Sequence, residues 1–500
     1  MKIYLINSTY DAPMTYGPEV FRKIDLPVCY LAELSLPTVA AMVPEDMKVE
    51  LCDENMGPID FDTKAEVIGI AGRISQVHRI KEIVKEFRKR NKIIMIGGPL
   101  ATLNPELIRD HCDILIRGEM EEIASKVFKD IKNGTWKKEY FGTQPNPIIS
   151  PLPRWDLYPN DKALIGTLQT SRGCKFNCEF CEVVQYMGHK IRHKNMKQIL
   201  DELEVLYVNG YRFIFLVDDN LTANANMTKR ILKKIKLWAD KKAEPVFFLA
   251  QVSIEITTDE EMIELLAEAG VINVFVGIET PSEENLKITN KSQNLDIDFQ
   301  KAVQTFLDKG IMVMCGIVVG FDGDNVDSFQ TVTEFGMSLP VPLYNISALM
   351  APDNTPLWHR LKKEGRLLDD YSAYIQWKSN MIPKHMTNEE LTNGTIKLVA
   401  DLYDPKAFAI RINHFAKKIV PNENLTRIKK RKQDKTILFN ILRHLMSSNA
   451  EEKQLCKTIF EILREKPTLA PYIFPMVMNY AQVKYMLGSI NENPTTKRRS

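Results

Sequence analysis

The sequence predicts an α/β chain in three parts: a doubly wound parallel sheet over residues 1–140, a partial (β/α)6 barrel over 162–380, and an α-helical region over 381–500. Three observations predict it. Short apolar runs alternate with helical stretches up to about residue 140, the rhythm of βαβ units with parallel strands. The alternation resumes at Ala163 and runs through six strand–helix repeats. From about residue 380 it stops, and only helical periodicity remains.

In the first part, strands are expected at Lys2–Asn7, Lys48–Cys52, Val67–Ala71, Ile93–Ile96 and Ile114–Ile116, with helices over Tyr30–Met42, Ser75–Lys89 and Met120–Asn133. Ligands of such sheets sit beyond the carboxyl ends of the strands. The loops there are Asn7–Ser8, Ala71–Ser75, Gly97–Pro99 and Arg117–Glu119. Glycine in three of them lets backbone approach a ligand, although from pattern alone Gly97-Gly98 serves equally well as a structural turn. Residues 141–161 hold five prolines and little periodicity, and read as a linker.

The second part opens on a strand, Ala163–Leu168, and then on Cys174-Lys175-Phe176-Asn177-Cys178-Glu179-Phe180-Cys181. Clustered thiolates are soft ligands that select zinc or iron–sulfur. Zinc sites usually present four ligands, and His189 and His193 are the candidates to complete one. Three local cysteines suit an iron–sulfur cluster that leaves one iron open, since a closed cluster takes four. Further strands are expected at Arg212–Val217, Val246–Val252, Ile272–Ile278, Met312–Val319 and Leu343–Leu349. In parallel barrels the chemistry gathers at strand C-termini. The polar residues there are Asp218, Asp219, Asn220, Gln251, Ser253 and Glu279. Acids at the end of an apolar strand need a partner when buried. A helix start explains some of them, and Pro281-Ser282 gives Glu279 that bland reading. Gly316 and Gly320 would let backbone lie near a flat ring.

CxxxCxxC with Phe180 before its last cysteine resembles the radical S-adenosylmethionine enzymes. The resemblance implies that Cys174, Cys178 and Cys181 hold a [4Fe–4S] cluster. It further implies that the methionine part of S-adenosylmethionine chelates the fourth iron, and that one electron cleaves it to a 5′-deoxyadenosyl radical. Phe180, Asp219, Asn220, Gln251, Ser253 and Glu279 are then the expected cofactor cleft. A strand ending in Gly97-Gly98-Pro99, followed by Asp113–Glu119, looks like the cobalamin-binding domain of one large subfamily. Ser75, Gly97, Gly98, Gly118 and Glu119 are the residues this places against cobalamin. Many relatives carry a DxHxxG loop with a cobalt-ligating histidine; here it reads Asp53-Glu54-Asn55-Met56-Gly57, so the cobalt is expected to lack a protein imidazole. The runs Val217–Asn220 and Gly277–Glu284 resemble the branch with the hopanoid C2-methyltransferases, which implies methyl transfer to an unactivated carbon of a small molecule or lipid. An electron donor such as flavodoxin or ferredoxin is implied too.

Composition bounds the alternatives. A net charge of +2 gives no case for nucleic acid. No stretch approaches eighteen apolar residues, and MKIYLINSTY is no signal peptide. Eight cysteines without a framework suit a reducing cytoplasm. Rival activities are a cobalamin-dependent cyclisation or rearrangement and a methylthiotransferase. The latter needs a second cysteine trio, for which Cys29, Cys52 and Cys112 are too scattered. A cluster-bearing sensor is the non-enzymatic rival. Helices are expected at Asn388–Leu402, Ala407–Lys418, Lys435–Ser448, Ala450–Glu465 and Pro471–Tyr485, by position over the barrel mouth. Lys429–Lys432 reads as a solvated loop and 488–500 as a disordered tail.

Overall fold

The structure, a computed structural model, describes residues 1–24, 28–368, 376–427 and 432–492. In chain order its strands are β1 Lys2–Asn7, β2 Cys29–Leu31, β3 Lys48–Asp53, β4 Val67–Ala71, β5 Ile93–Gly97, β6 Ile114–Arg117, β7 Glu139–Phe141 and β8 Ala163–Leu168. They continue as β9 Ser171–Arg172, β10 Arg192–His193, β11 Phe213–Leu216, β12 Phe247–Val252, β13 Val271–Glu279, β14 Met312–Val319 and β15 Leu343–Ala348.

The first sheet is parallel, in the order β3-β1-β4-β5-β6-β7. Its central strands are continuous apolar runs because both faces are covered. Ile68, Ile70, Ile94 and Ile96 pack with Ile80, Val84 and Phe87 of the helix Val77–Arg88. On the other face Leu5, Val67 and Met95 join the larger core with Leu36, Ala40, Val127 and Phe128. That is double winding, as expected.

The second sheet is also parallel, in the order β15-β14-β13-β12-β11-β8-β2. The six expected strands are present. A seventh comes from the first part of the chain: β2 pairs Cys29 with Ala163 and Leu31 with Ile165. This corrects the expected helix Tyr30–Met42, which begins only at Ser35. A short apolar run fits helix or strand on periodicity alone, and the free edge of β8 decides for strand. The residues before β2 cross the open side of the half-barrel to its other edge. There Thr15 Oγ1 donates to Asn345 Oδ1 at 3.3 Å and Gln376 Oε1 at 2.8 Å, and Tyr16 Oη to the sulfur of Met314 at 2.9 Å.

Helices follow at Asn388–Leu402, Pro405–Lys418, Lys432–Met446, Ala450–Glu465 and Ala470–Glu492. The last continues through Gly488–Glu492, where a tail was expected; 493–500 lie outside the described residues, as do Lys429, Lys430 and Arg431. The helical region does not cap the barrel mouth. It closes the opposite end, where Tyr472 Oη donates to the carbonyl of Gly310 at 2.8 Å, just before β14. The reason is apolar surface: Phe213, Leu249 and Met312 line the barrel floor and face Pro471, Phe474 and Met478. Among the described residues no helix is long and apolar enough to cross a membrane.

Candidate active site

The cysteine loop leaves the end of β8 and is tied down on every side. Asp218, wholly buried at the end of β11, accepts from Thr170 N at 3.3 Å, Thr170 Oγ1 at 2.8 Å, Ser171 Oγ at 2.6 Å and the Ser171 amide. Burial raises its pKa and those four donors oppose the shift. Asp218 therefore shapes the turn and has no free oxygen for a cofactor. Asp219 accepts from Gly173 N at 3.0 Å and keeps its other oxygen; burial pushes it up to about 6. Farther along, Glu179 receives a two-point ion pair from Arg360 at 2.5 and 3.0 Å. Its amide donates to Thr289 O at 2.9 Å and its carbonyl accepts from Leu357 N at 3.0 Å.

Cys174, Cys178 and Cys181 are all free thiols; Cys178 is buried and the other two are partly open. Burial pushes Cys181 up to about 12 and raises Cys174, and both also respond to Cys178 and to the Lys291 ammonium. Three sulfurs and one cation thus share one electrostatic neighbourhood. Gln293 Nε2 donates to Cys178 Sγ at 3.5 Å. Among the described residues no group of three or more Cys, His, Asp or Glu is arranged for a single metal ion. The donor set fits a larger thiolate-held cluster, whose charge would ionise thiols that burial alone keeps protonated.

The other strand-end residues assemble beside this loop. Asn220 Nδ2 donates to Ser253 Oγ at 2.5 Å, and Asn220 Oδ1 accepts from Thr222 N at 3.1 Å. Gln251 is half-buried and makes no side-chain hydrogen bond among the described residues. Glu279 is neither free nor a helix-start charge: its Oε1 is paired with Lys291 at 2.7 Å, both groups mostly buried. The helix begins four residues later, at Glu283, with Ser282 as its cap. Glu279 has φ +68° at a register shift in β13, a conformation that costs on the order of 1–3 kcal/mol off glycine and clusters at functional sites. Phe180 packs edge-on against Phe321 at 6.0 Å, beside Leu349 and Leu357, on the cluster loop's apolar side.

The first sheet presents its strand ends to this loop. The helix Pro99–Leu103 packs against Val183–Met187, just past Cys181. Arg73, in the loop with Ser75, lies near Tyr10, Glu33, Tyr186 and Glu182, which raise its pKa against the pull of burial. Among the described residues three buried polar atoms at these strand ends lack a partner: Ser8 Oγ, Asn55 Oδ1 and Arg117 Nε. Asn55 Nδ2 donates to Asp53 Oδ1 at 2.9 Å, and burial pushes Asp53 up to about 6. The glycines carry a different lesson from the one expected. A Cβ on Gly98 would stand 3.0 Å from the Gly72 carbonyl, and one on Gly118 would stand 2.6 Å from that of Gly142, both at positive φ. They are needed so that neighbouring loops pack on each other, while Gly97 is in ordinary contact.

Glu119 was expected against a cofactor. Instead both its oxygens go to arginines, at 2.5 and 2.9 Å from Arg192 and in contact with Arg172. Arg172 also pairs with Glu121 at 2.7 Å. Because Arg172 precedes Gly173 and Cys174, this buried cluster bolts the first sheet to the cysteine loop. Sequence reasoning missed Glu121, Arg192, Lys291 and Glu255. Among the described residues Glu255 Oε2 is buried without a partner; it sits in the short 3-10 turn Ile254–Thr258 after β12, which no strand periodicity reaches. Lys291, in a loop of mixed polar residues, gave no signal either.

A parallel half-barrel whose first strand ends in a three-cysteine loop, preceded by a doubly wound domain, defines a class in which cluster and cofactor share the barrel mouth. Residues 168–336 match the family model of the radical SAM superfamily, and 355–492 match a domain of unknown function (DUF4070). An uncharacterized methyltransferase of Synechocystis is 34% identical over 401 residues, covering 78% of this chain and 73% of that one. The hopanoid C-2 methylase of Rhodopseudomonas palustris is 28% identical over 359 residues, covering 70% and 68%. The chain belongs to the radical S-adenosylmethionine superfamily, in its methyltransferase branch. Its fold is also that of the radical S-adenosylmethionine methyltransferase TsrM from Kitasatospora setae, whose structure holds cobalamin and a [4Fe-4S] cluster. The TM-score is 0.63 over 94% of this chain and 99% of that one, at 15% identity.

Proposed function

We propose that this chain is a cobalamin-dependent radical S-adenosylmethionine methyltransferase acting on an unactivated carbon of a small-molecule or lipid substrate. The observation that carries the reading is the meeting of three free thiols and Lys291 with the strand-end loops of a doubly wound sheet. When bound, the cluster with S-adenosylmethionine would supply a hydrogen-abstracting radical, and cobalamin the methyl group, chemistry that no side chain here offers. The protein's part is to bind, orient and exclude water. Cys174, Cys178 and Cys181 would hold the cluster, and Lys291 would offset thiolate charge. Asp219, Asn220, Gln251, Ser253 and Glu279 would line the S-adenosylmethionine cleft, with Glu255 added and Phe180 packing the loop. Ser8, Ser75, Arg73 and Asn55 would meet cobalamin over residues 1–140, with Gly97, Gly98 and Gly118 shaping the loops and Glu119 reassigned to the bolt beneath them. The barrel would span 162–380 and the helical region 381–500. A flavodoxin or ferredoxin would deliver the electron, in a reducing cytoplasm.

The test is anaerobic reconstitution with iron, sulfide and hydroxocobalamin, followed by an absorption spectrum and an assay for 5′-deoxyadenosine. Four irons per chain, bound corrin and 5′-deoxyadenosine are expected from the wild type, and none of the iron from a chain with all three cysteines changed to alanine. A triple variant that still takes up four irons refutes the ligand assignment. A wild type that retains no corrin refutes methyl transfer through cobalt.

A further inference from the structure

Between Cys178 and Cys181 stand only Glu179 and Phe180. Two residues of chain leave little slack, so whatever holds this pair also holds the sulfurs on either side. Most of the hold comes from one distant stretch, which starts just after Thr355. The Leu357 amide donates to the Glu179 carbonyl at 3.0 Å. Arg360 donates to both carboxylate oxygens of Glu179, at 2.5 and 3.0 Å. The Phe180 ring packs on a small separate core that Leu357, Leu361 and Met381 build with Phe321. The Glu179 amide goes elsewhere, to the Thr289 carbonyl at 2.9 Å. The run between Cys174 and Cys178 is looser, with Lys175 and Asn177 both exposed.

Arg360 is itself fixed. Its Nη1 donates to Asp322 Oδ2 at 2.6 Å, and Asp322 also takes Arg366 at 2.8 Å and Lys384 at 3.1 Å. Glu364 accepts from Arg366 at 2.8 Å and from Arg360 at 3.4 Å. Three carboxylates thus meet three cations in one network. Exposed ion pairs contribute little, but the Glu179 and Asp322 side chains are only 9% and 6% exposed. A guanidinium shared between two buried carboxylates fixes direction as well as distance, because its donors form a rigid fork. A lysine would match the charge without the fork.

We propose that Arg360 is a positioning residue for the cluster. It fixes Cys178 and Cys181 in the arrangement in which they ligate iron, and it balances the Glu179 charge lying between them. Residues 355–492, which match a domain of unknown function, would through their first helix, Pro356–Lys363, help to build the reaction centre. The cluster itself rests on the proposed function, whereas the anchoring is a property of the cofactor-free chain and is tested there.

The first test is alkylation of the cofactor-free, full-length chain by iodoacetamide, followed cysteine by cysteine through peptide mass spectrometry. A buried thiol reacts only through local opening. Arg360→Met should raise the rate at Cys178 about tenfold, the scale of one lost charge-assisted anchor. Cys315 in β14 and Cys456 in the helix Ala450–Glu465, both fully buried, should keep their rates. Arg360→Lys should show the same pattern with a smaller rise, and it carries the test if Arg360→Met does not fold. An unchanged rate at Cys178 overturns the proposal. So does an equal rise at Cys178, Cys315 and Cys456, which would make Arg360 a residue of general stability.

The second test is the midpoint potential of the reconstituted cluster, which responds to nearby charge. It should fall in Arg360→Met, where the Glu179 carboxylate stands without its guanidinium. It should return close to wild type in Glu179→Gln/Arg360→Met, which removes both charges, although Cys178 would still alkylate fast in the cofactor-free form. One potential shared by all three chains overturns the charge-balancing role. A wild type that takes up no iron would strike the proposed function instead and leave the alkylation result to decide the anchoring.

Discussion

Glu119 offers the sharpest test of how the two sheets are joined. Its carboxylate is 8% exposed and lies between Arg172 and Arg192, themselves 10% and 6% exposed. Glu119→Ala would leave Arg172 with Glu121 at 2.7 Å but leave Arg192 with only the carbonyls of Pro145 and Met187, which orient a guanidinium without neutralising it. One buried charge is then uncompensated. Removing one partner of a buried pair costs about 3–5 kcal/mol, and the surviving Glu121 places this case near the lower end, at about 3 kcal/mol. Chemical denaturation of the cofactor-free chain, followed by circular dichroism, reads that loss as a shift in midpoint at constant slope. The double variant Glu119→Leu/Arg192→Met removes charge and counter-charge together, and should recover to within about 1 kcal/mol of wild type, because apolar replacement of a buried pair is close to neutral. A loss under about 1 kcal/mol in Glu119→Ala, or a double variant as damaged as the two single changes combined, refutes the buried bolt. Full stability in Glu119→Gln with loss of cobalamin alone would return Glu119 to a ligand's role.

Three further outcomes are expected. Glu279→Ala should weaken S-adenosylmethionine binding by about 1.5–3 kcal/mol, the worth of a charge-assisted hydrogen bond; unchanged affinity in a cluster-bearing variant, read by equilibrium dialysis, would leave it only the counter-ion of Lys291. Burial pulls the Asp322 carboxyl up, but hydrogen bonds from Arg366, Arg360 and Lys384 outweigh it and hold the group at about 2, against an ordinary 3.8. A depressed acid stabilises above its unfolded pKa, so about 2 kcal/mol should be present at neutral pH and lost as pH falls from about 4 to 2; Asp322→Asn should flatten that part of the stability profile, and an unaltered profile refutes it. The cob(II)alamin form of the loaded protein should show no axial nitrogen splitting in its paramagnetic resonance, as the resemblance of Asp53–Gly57 to a DxHxxG loop with Asn55 in place of histidine implies; a triplet splitting refutes this.

The sequence by itself determined the local rules. Hydrophobic periodicity of two and 3.6 marked the strands and helices, because each element must bury one face whatever its neighbours are. Three cysteines within eight residues announced their chemistry, since ligands that close in sequence cannot be far apart in space. The ends of the apolar runs marked Asp219, Asn220, Gln251, Ser253 and Glu279 as the polar residues at strand C-termini, where parallel barrels gather their chemistry.

What the tertiary structure decided is every pairing between distant segments. β2 is a strand only because the edge of β8 lies open beside it, and the C-terminal helices cover the barrel floor only because its lining is apolar. Asp218 and Asp219 are adjacent and chemically identical, yet one is spent on Thr170 and Ser171 and the other keeps an oxygen free. Glu119 changes from ligand candidate to structural bolt because Arg172 and Arg192, 53 and 73 residues away, arrive at the same buried point. A buried charge takes its meaning from its partner, and where partners are far apart in sequence only the fold names them.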